Sequence, residues 1–124
     1  MVAPFILGKS ERNIDAPEKI AGRAKYAIDT IVPGMLHARV LRSNVPHAKI
    51  VSIDTSAARA IPGVLAVITG KDLPILEDFP GDRPTIAHER VCYIGDAVAA
   101  VAAETLELAE EAIKAIKVEY EALP

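Results

Sequence analysis

Residues 33–53 read PGMLHARVLRSNVPHAKIVSI. A Pro33-Gly34 turn opens directly onto a run, residues 34–41, with the two-residue period of a strand. Met35, His37 and Arg39 fall on one face, and Leu36, Ala38 and Val40 on the other. A second strand is predicted over residues 49–53. The segment between them, Arg42 to Ala48, carries Pro46, which has no N–H to donate to a ladder and keeps the residue before it out of helical geometry. The phrase has an echo at residues 62–70, PGVLAVITG, where Pro62-Gly63 leads into an apolar, β-branched run read as a buried strand over 64–68.

Working outward, residues 54–61 predict a short helix. Asp54, Thr55 and Ser56 offer acceptors at its start, and Pro62-Gly63 stops it. Residues 70–73 read as a turn. Residues 74–89 hold Pro74, Pro80, Gly81 and Pro84 with four acidic residues, and predict a long irregular loop. Residues 90–94 and 97–103 read as a hairpin turning at Gly95-Asp96. Thr105 caps the clearest helix, predicted over 106–117, whose apolar stripe is Leu106, Ala109, Ala112, Ile113 and Ile116. Early Glu107, Glu110 and Glu111 and late Lys114 and Lys117 complement its dipole. Residues 118–120 form a closing strand. Residues 1–20, polar and interrupted by Pro4 and Pro17, read as an irregular amino-terminal arm before a single domain, 21–124. The expected class is α/β (α+β): one small mixed sheet covered by a short and a long helix.

Composition bounds the function. The chain of 124 residues is 51% hydrophobic without tryptophan, so its core is built from Val, Ile, Leu and Ala. A net charge of −3, with scattered basic residues, excludes the basic face a nucleic-acid binder needs. Cys92 is the single cysteine, which rules out an internal disulfide and suits a reducing cytoplasm. Its neighbours Val91, Tyr93 and Ile94 suggest a core position on a strand. The longest apolar stretch, 97–103, is too short to cross a bilayer, and residues 1–8 lack the basic start of a signal peptide.

The residue types that carry chemistry are present but not arranged for it. Neither GxGxxG nor GxxxxGK[ST] occurs, and Gly22-Arg23-Ala24-Lys25 is a weak substitute. His37, His47, His88 and Cys92 match no ligand spacing that sets two donors on one element. Ser10, Ser43, Ser52 and Ser56 lie in cap, turn or strand settings, with no GxSxG elbow. Glu77, Asp78, Asp82 and Glu89 read as a solvated loop. No catalytic, cofactor-binding or metal-ligating residue is therefore assigned.

The ordered phrases nevertheless resemble a known family. Arg12, Asp15 and Lys19 precede Gly22-x-Ala24-x-Tyr26-x-x-Asp29. Pro33-Gly34-Met35-Leu36-His37-Ala38, Arg42-Ser43, Pro46-His47-Ala48 and Ile53-Asp54 follow. Then come Pro62-Gly63-Val64, Thr69-Gly70-x-Asp72, Val91-x-Tyr93-x-Gly95-Asp96, Val98-Ala99-x-Val101-x-Ala103 and Val118-x-Tyr120-Glu121-x-Leu123-Pro124. In that order they resemble the amino-terminal domain of the large subunit of molybdenum hydroxylases, the xanthine dehydrogenase and aldehyde oxidase family. The resemblance implies the α/β hammerhead fold. It implies a domain preceding a larger region that binds molybdopterin and supplies the catalytic residue. Iron–sulfur clusters and often FAD would sit in other domains or subunits, and one cysteine is too few for a cluster here. The implied chemistry of the complete enzyme is oxidation or hydroxylation of an aldehyde, an N-heterocycle or a related substrate. The chain itself is expected to be inactive, as an expressed fragment or a split subunit. Gly34, His37, Arg42, Pro46 and Gly95 are expected to serve the fold and the surface against the cofactor region. Gly34, Gly63 and Gly95 are expected at backbone angles that other residues resist. The loop 74–89 is expected to shape the substrate entrance or touch a neighbouring subunit. A freestanding interaction module reusing the fold is the alternative expectation.

Overall fold

The computed structural model describes residues 8, 10, 12–74 and 84–124. The chain divides into two units, Met1–Pro33 and Gly34–Pro124. In the first, the expected irregular arm ends in a one-turn helix, α1 (Ala16–Ile20), with Pro17 in the first turn, where its missing N–H costs nothing. Asp15 and Lys19 close an ion pair at 3.0 Å along it. A 3₁₀ turn follows at Ala27–Asp29, and the Asp29 carboxylate accepts the Tyr26 N–H at 3.0 Å. The Tyr-x-x-Asp phrase of the sequence is thus a turn closure.

The second unit holds the six strands found among the described residues: β1 (His37–Arg42), β2 (Ala48–Asp54), β3 (Val64–Thr69), β4 (Arg90–Val91), β5 (Ala97–Ala103) and β6 (Lys117–Ala122). Between them lie α2 (Ser56–Arg59) and α3 (Leu106–Ala115). The α/β class holds, but the single mixed sheet is replaced by two antiparallel sheets of three strands. Sheet A has the order β1-β5-β3 and sheet B the order β4-β2-β6. The expected hairpin between residues 90–94 and 97–103 does not form. Strand β5 is the centre of sheet A, with both edges occupied by β1 and β3, so β4 pairs with β2 instead. The strand expected over 90–94 is only two residues long. Cys92 lies past its end, and its N–H is taken by the Asp96 carboxylate at 3.0 Å.

Helix α3 ends at Ala115, two residues short of expectation, and Ile116 is already extended before β6 begins. The short helix shrinks from 54–61 to four residues, because Asp54 belongs to β2 and its carboxylate caps Ser56 N–H at 2.9 Å. In β2 the pairing with β6 shifts between Ile50 and Ser52, leaving Val51 as an extra residue. That bulge lets Ala48, Ile50 and Ile53 all serve the core side, which strict alternation would forbid.

Two clusters form the core. Ala58, Val67, Ala99, Val101, Ala112 and Ile116 join sheet A to α2 and α3. Ala48, Ala87, Val91 and Val98 form the other, with Ile50, Val118 and Tyr120 of sheet B packed against it. Alanine lets the helices approach β5 closely, and Ala99, Ala103, Ala109 and Ala112 are fully buried. Each such residue contributes little hydrophobic free energy, about 0.8 kcal/mol per buried methylene-sized group.

Candidate functional site

Three places in Gly34–Pro124 gather functional side chains: a junction between the sheets, a shallow cleft and an outer sheet face. The junction joins the end of β1 to the turn before β5. Ser43 and Asp96 are its buried polar residues. Ser43 N–H donates to Asp96 O at 2.8 Å, and Gly95 N–H returns to Ser43 O at 2.8 Å. The Ser43 hydroxyl donates to Val45 O at 2.8 Å and accepts the Val45 N–H at 3.1 Å. Arg42 Nη1 donates to Gly95 O at 2.9 Å. Burial pushes the Tyr120 phenol above its usual range; the Ser43 hydroxyl opposes that shift and the Asp96 charge adds to it. Gly34, Gly63 and Gly95 all take positive φ, as expected. The polar atoms of Ser43 and Arg42 thus extend the β1–β5 pairing of sheet A and close the turn after Ser43.

The histidines are dispersed. His37 lies on the α3 side of sheet A, near Glu107, whose carboxylate is held below its usual range first by its own N–H and then by the Thr105 hydroxyl. His47 Nδ1 lies 2.7 Å from Pro124 O. His88 Nε2 is buried and has no hydrogen-bond partner among the described residues. Among the described residues, no group of three or more His, Cys, Asp or Glu is placed to hold a metal ion. Glu77, Asp78 and Asp82 lie outside the described residues, as does most of the loop 74–89. Glu89 contributes a backbone oxygen to Ile50 N–H at 2.8 Å.

The cleft, about 220 Å³, is lined by Ser52, Arg59, Thr69, Lys71, Asp72 and His88 among others. Its polar groups are largely committed. Arg59 donates through Nε to Thr55 Oγ1 at 3.1 Å and through Nη2 to Val67 O at 2.7 Å. The Asp72 carboxylate takes both the N–H and the hydroxyl of Thr69, at 2.7 and 2.8 Å. A phosphate-bearing cofactor needs converging free N–H donors. Arg59 is turned onto the Thr55 hydroxyl and the Val67 carbonyl rather than into the cleft.

The two sheets differ in their outer faces. Sheet B sets Lys49 opposite Glu121, Ser52 opposite Glu119 and Asp54 opposite Lys117, with Ser52 donating to Glu119 at 2.8 Å. That is a solvent face with matched charges. Sheet A carries Val67 and Val101 into the helical core, which turns Ala66, Ile68, Ala100 and Ala102 to the other side. Ala38 and Val40 join them through pairing with Ala102 and Ala100. These six residues are all apolar; the patch is bounded by Arg42 at the end of β1 and by Val98, which is buried in the core cluster shared with sheet B. Sequence alternation found Ala38 and Val40 together; the other four required the register.

Comparison with known proteins fits this fold. Residues 21–124 match the family described as "Aldehyde oxidase and xanthine dehydrogenase, a/b hammerhead domain". The chain belongs to that family. It is 50% identical over 123 residues to a probable xanthine dehydrogenase subunit of Bacillus subtilis, covering 96% of this chain and 16% of that protein. Against the nicotinate dehydrogenase large molybdopterin subunit of Eubacterium barkeri, identity is 47% over 121 residues, or 95% and 28% of the two chains. The crystal structure of quinoline 2-oxidoreductase from Pseudomonas putida 86 superposes with a TM-score of 0.80 at 37% identity. That match covers 94% of this chain and 16% of the other. The chain thus spans 16–28% of the two curated relatives named. No helix of the described residues is long and apolar enough to cross a membrane.

Proposed function

We propose that the chain is the non-catalytic amino-terminal domain of a molybdopterin-dependent oxidoreductase large subunit. The complete enzyme would oxidise or hydroxylate an aldehyde, an N-heterocycle or a related substrate. The observation that carries this reading is the extent of the match: nearly all of this chain aligns with a minor share of a named molybdopterin subunit. The commitment of Ser43, Asp96, Arg42, Arg59 and Asp72 to internal hydrogen bonds supports a scaffold role. On this reading no residue of the chain is catalytic or binds a cofactor or metal. Molybdopterin belongs to the larger region, where it supplies the oxidising centre, and iron–sulfur clusters and possibly FAD belong to other domains or subunits. The domain runs over 21–124 behind an arm, 1–20, packs against the cofactor region, contacts neither nucleic acid nor membrane, and works in the cytoplasm.

The test is to express the complete natural gene with its neighbouring subunit genes in a host that makes molybdopterin. Molybdenum bound to the purified product, with oxidation of at least one of purine, aldehyde and N-heterocycle substrates, is the expected result. A complete gene product without molybdenum overturns the reading and leaves a freestanding interaction module.

A further inference from the structure

We infer that the outer face of sheet A is the surface through which this domain seats on the remainder of its own large subunit. The inference rests on the reading above and adds the interface to it. The exposed apolar part of the face consists of two cross-strand rows, Ala38–Ala102–Ala66 and Val40–Ala100–Ile68, lying between the buried Val98 and the open end of the sheet, with the charged Arg42 at its margin. Val40 remains 41% exposed and Ile68 37%, on the two edge strands of sheet A. Neither row contains a charge or a hydrogen-bonding side chain. The outer face of sheet B, in the same unit, pairs Lys49 with Glu121 and Asp54 with Lys117. One face is made for water and the other is not.

The size of the face selects its occupant. Six partly exposed residues, four of them alanine, make a patch no larger than the largest one on an ordinary monomer, roughly 300–600 Å². A stable complex between separate chains buries about 800 Å² from each partner. The face is therefore too small to recruit a separate subunit or a second copy of the chain. A region tethered on the same polypeptide needs no such area, because the linker raises its effective concentration to about the millimolar range. The relatives supply that region, since the match leaves most of each of their chains outside it. The four alanines set the complementary shape, a flat, shallow contact that admits a neighbouring backbone closely, with Val40 and Ile68 as its raised row.

Cysteine accessibility tests this in the complete, molybdenum-loaded enzyme. Val40→Cys and Ile68→Cys probe the face, and Lys49→Cys on sheet B serves as the exposed control. Each variant is treated with a maleimide, and labelling is read peptide by peptide in a mass spectrometer. Positions 40 and 68 are expected to label at least about tenfold more slowly than position 49, and equally fast once the enzyme is unfolded in urea. Equal native rates at all three positions, in enzyme that retains molybdenum, overturn the inference and leave the assigned function standing. Protection that disappears on dilution identifies a second copy of the chain and likewise overturns it. Loss of molybdenum from the unsubstituted enzyme refutes the function instead, so the two failures are separable.

Discussion

A methyl group added at Gly70 would overlap the Ala87 carbonyl oxygen, and would stand 2.7 Å from that carbonyl carbon and 2.9 Å from His88 Cα. All three neighbours are backbone, so none can rotate aside. Gly70→Ala is expected to cost on the order of 2 kcal/mol, the usual scale of overpacking. It should appear as a lower urea midpoint at constant m. At Gly95 a methyl would meet nothing within 4 Å, and only the φ of +96° resists it. Gly95→Ala should therefore be the milder change, about 1 kcal/mol. Three exposed carboxylates, Asp72, Asp54 and Glu107, have lowered pKa values and contribute to the acid limb of stability. The Thr69 N–H and then its hydroxyl hold Asp72 below the usual value of 3.8. The Ser56 hydroxyl and then its N–H do the same for Asp54. A carboxyl with a lowered folded pKa stabilises the fold above its unfolded pKa, and that contribution is lost as pH falls through the folded value. Thermal midpoints should thus decline below about pH 4. The Asp54→Asn, Asp72→Asn double variant should show a shallower decline, and an identical acid slope would count against these two carboxylates as contributors.

At the scale of elements, α3 shows which surface contacts matter. Thr105 is extended, and its hydroxyl accepts the Leu108 N–H at 3.3 Å, satisfying a donor that the helix cannot. Thr105→Ala should cost about 1 kcal/mol. Arg39 reaches Glu110 across the sheet–helix boundary at 3.3 Å, but both side chains are about half exposed. Arg39→Ala should therefore change stability by no more than about 1 kcal/mol. Chemical denaturation of both variants checks the ranking. The same contrast explains what was legible in the sequence. The α3 stripe and cap are local, so Leu106, Ala109, Ala112 and Thr105 announce them. The strand runs around Val40, Ile50, Val67 and Val101 are local as well. Partner choice is not. Residues 90–94 and 97–103 look like a hairpin because the turn Gly95-Asp96 is a good one. What decides against it is that β1 and β3 already hold both edges of β5. The bulge at Val51 and the six-residue apolar face are properties of register, which no single strand encodes. The junction hides for the same reason. Ser43 and Asp96 are ordinary turn residues until the fold brings them together and buries both.

For the whole molecule, the open question of physics is where the cooperative unit begins. The family match starts at residue 21, whereas the compact unit containing the sheets starts at Gly34. All six described strands and both core clusters fall after Gly34. Before it, the described elements are a five-residue helix and a three-residue turn, neither with a buried residue. A helix so short has almost no stability of its own, since nucleation costs more than a single turn returns. The fold should therefore reside in residues 34–124. A fragment of those residues is expected to melt in one cooperative step, with the far-ultraviolet strand signal of the complete chain and a midpoint within a few degrees of it. A fragment of residues 21–124 should melt indistinguishably from it. The opposite result, a cooperative 21–124 beside an unfolded 34–124, would show that the segment carrying Gly22, Tyr26 and Asp29 is part of the folding unit. That phrase would then be read for stability. If the shorter fragment folds, the Tyr26–Asp29 turn closure serves something other than the stability of that core.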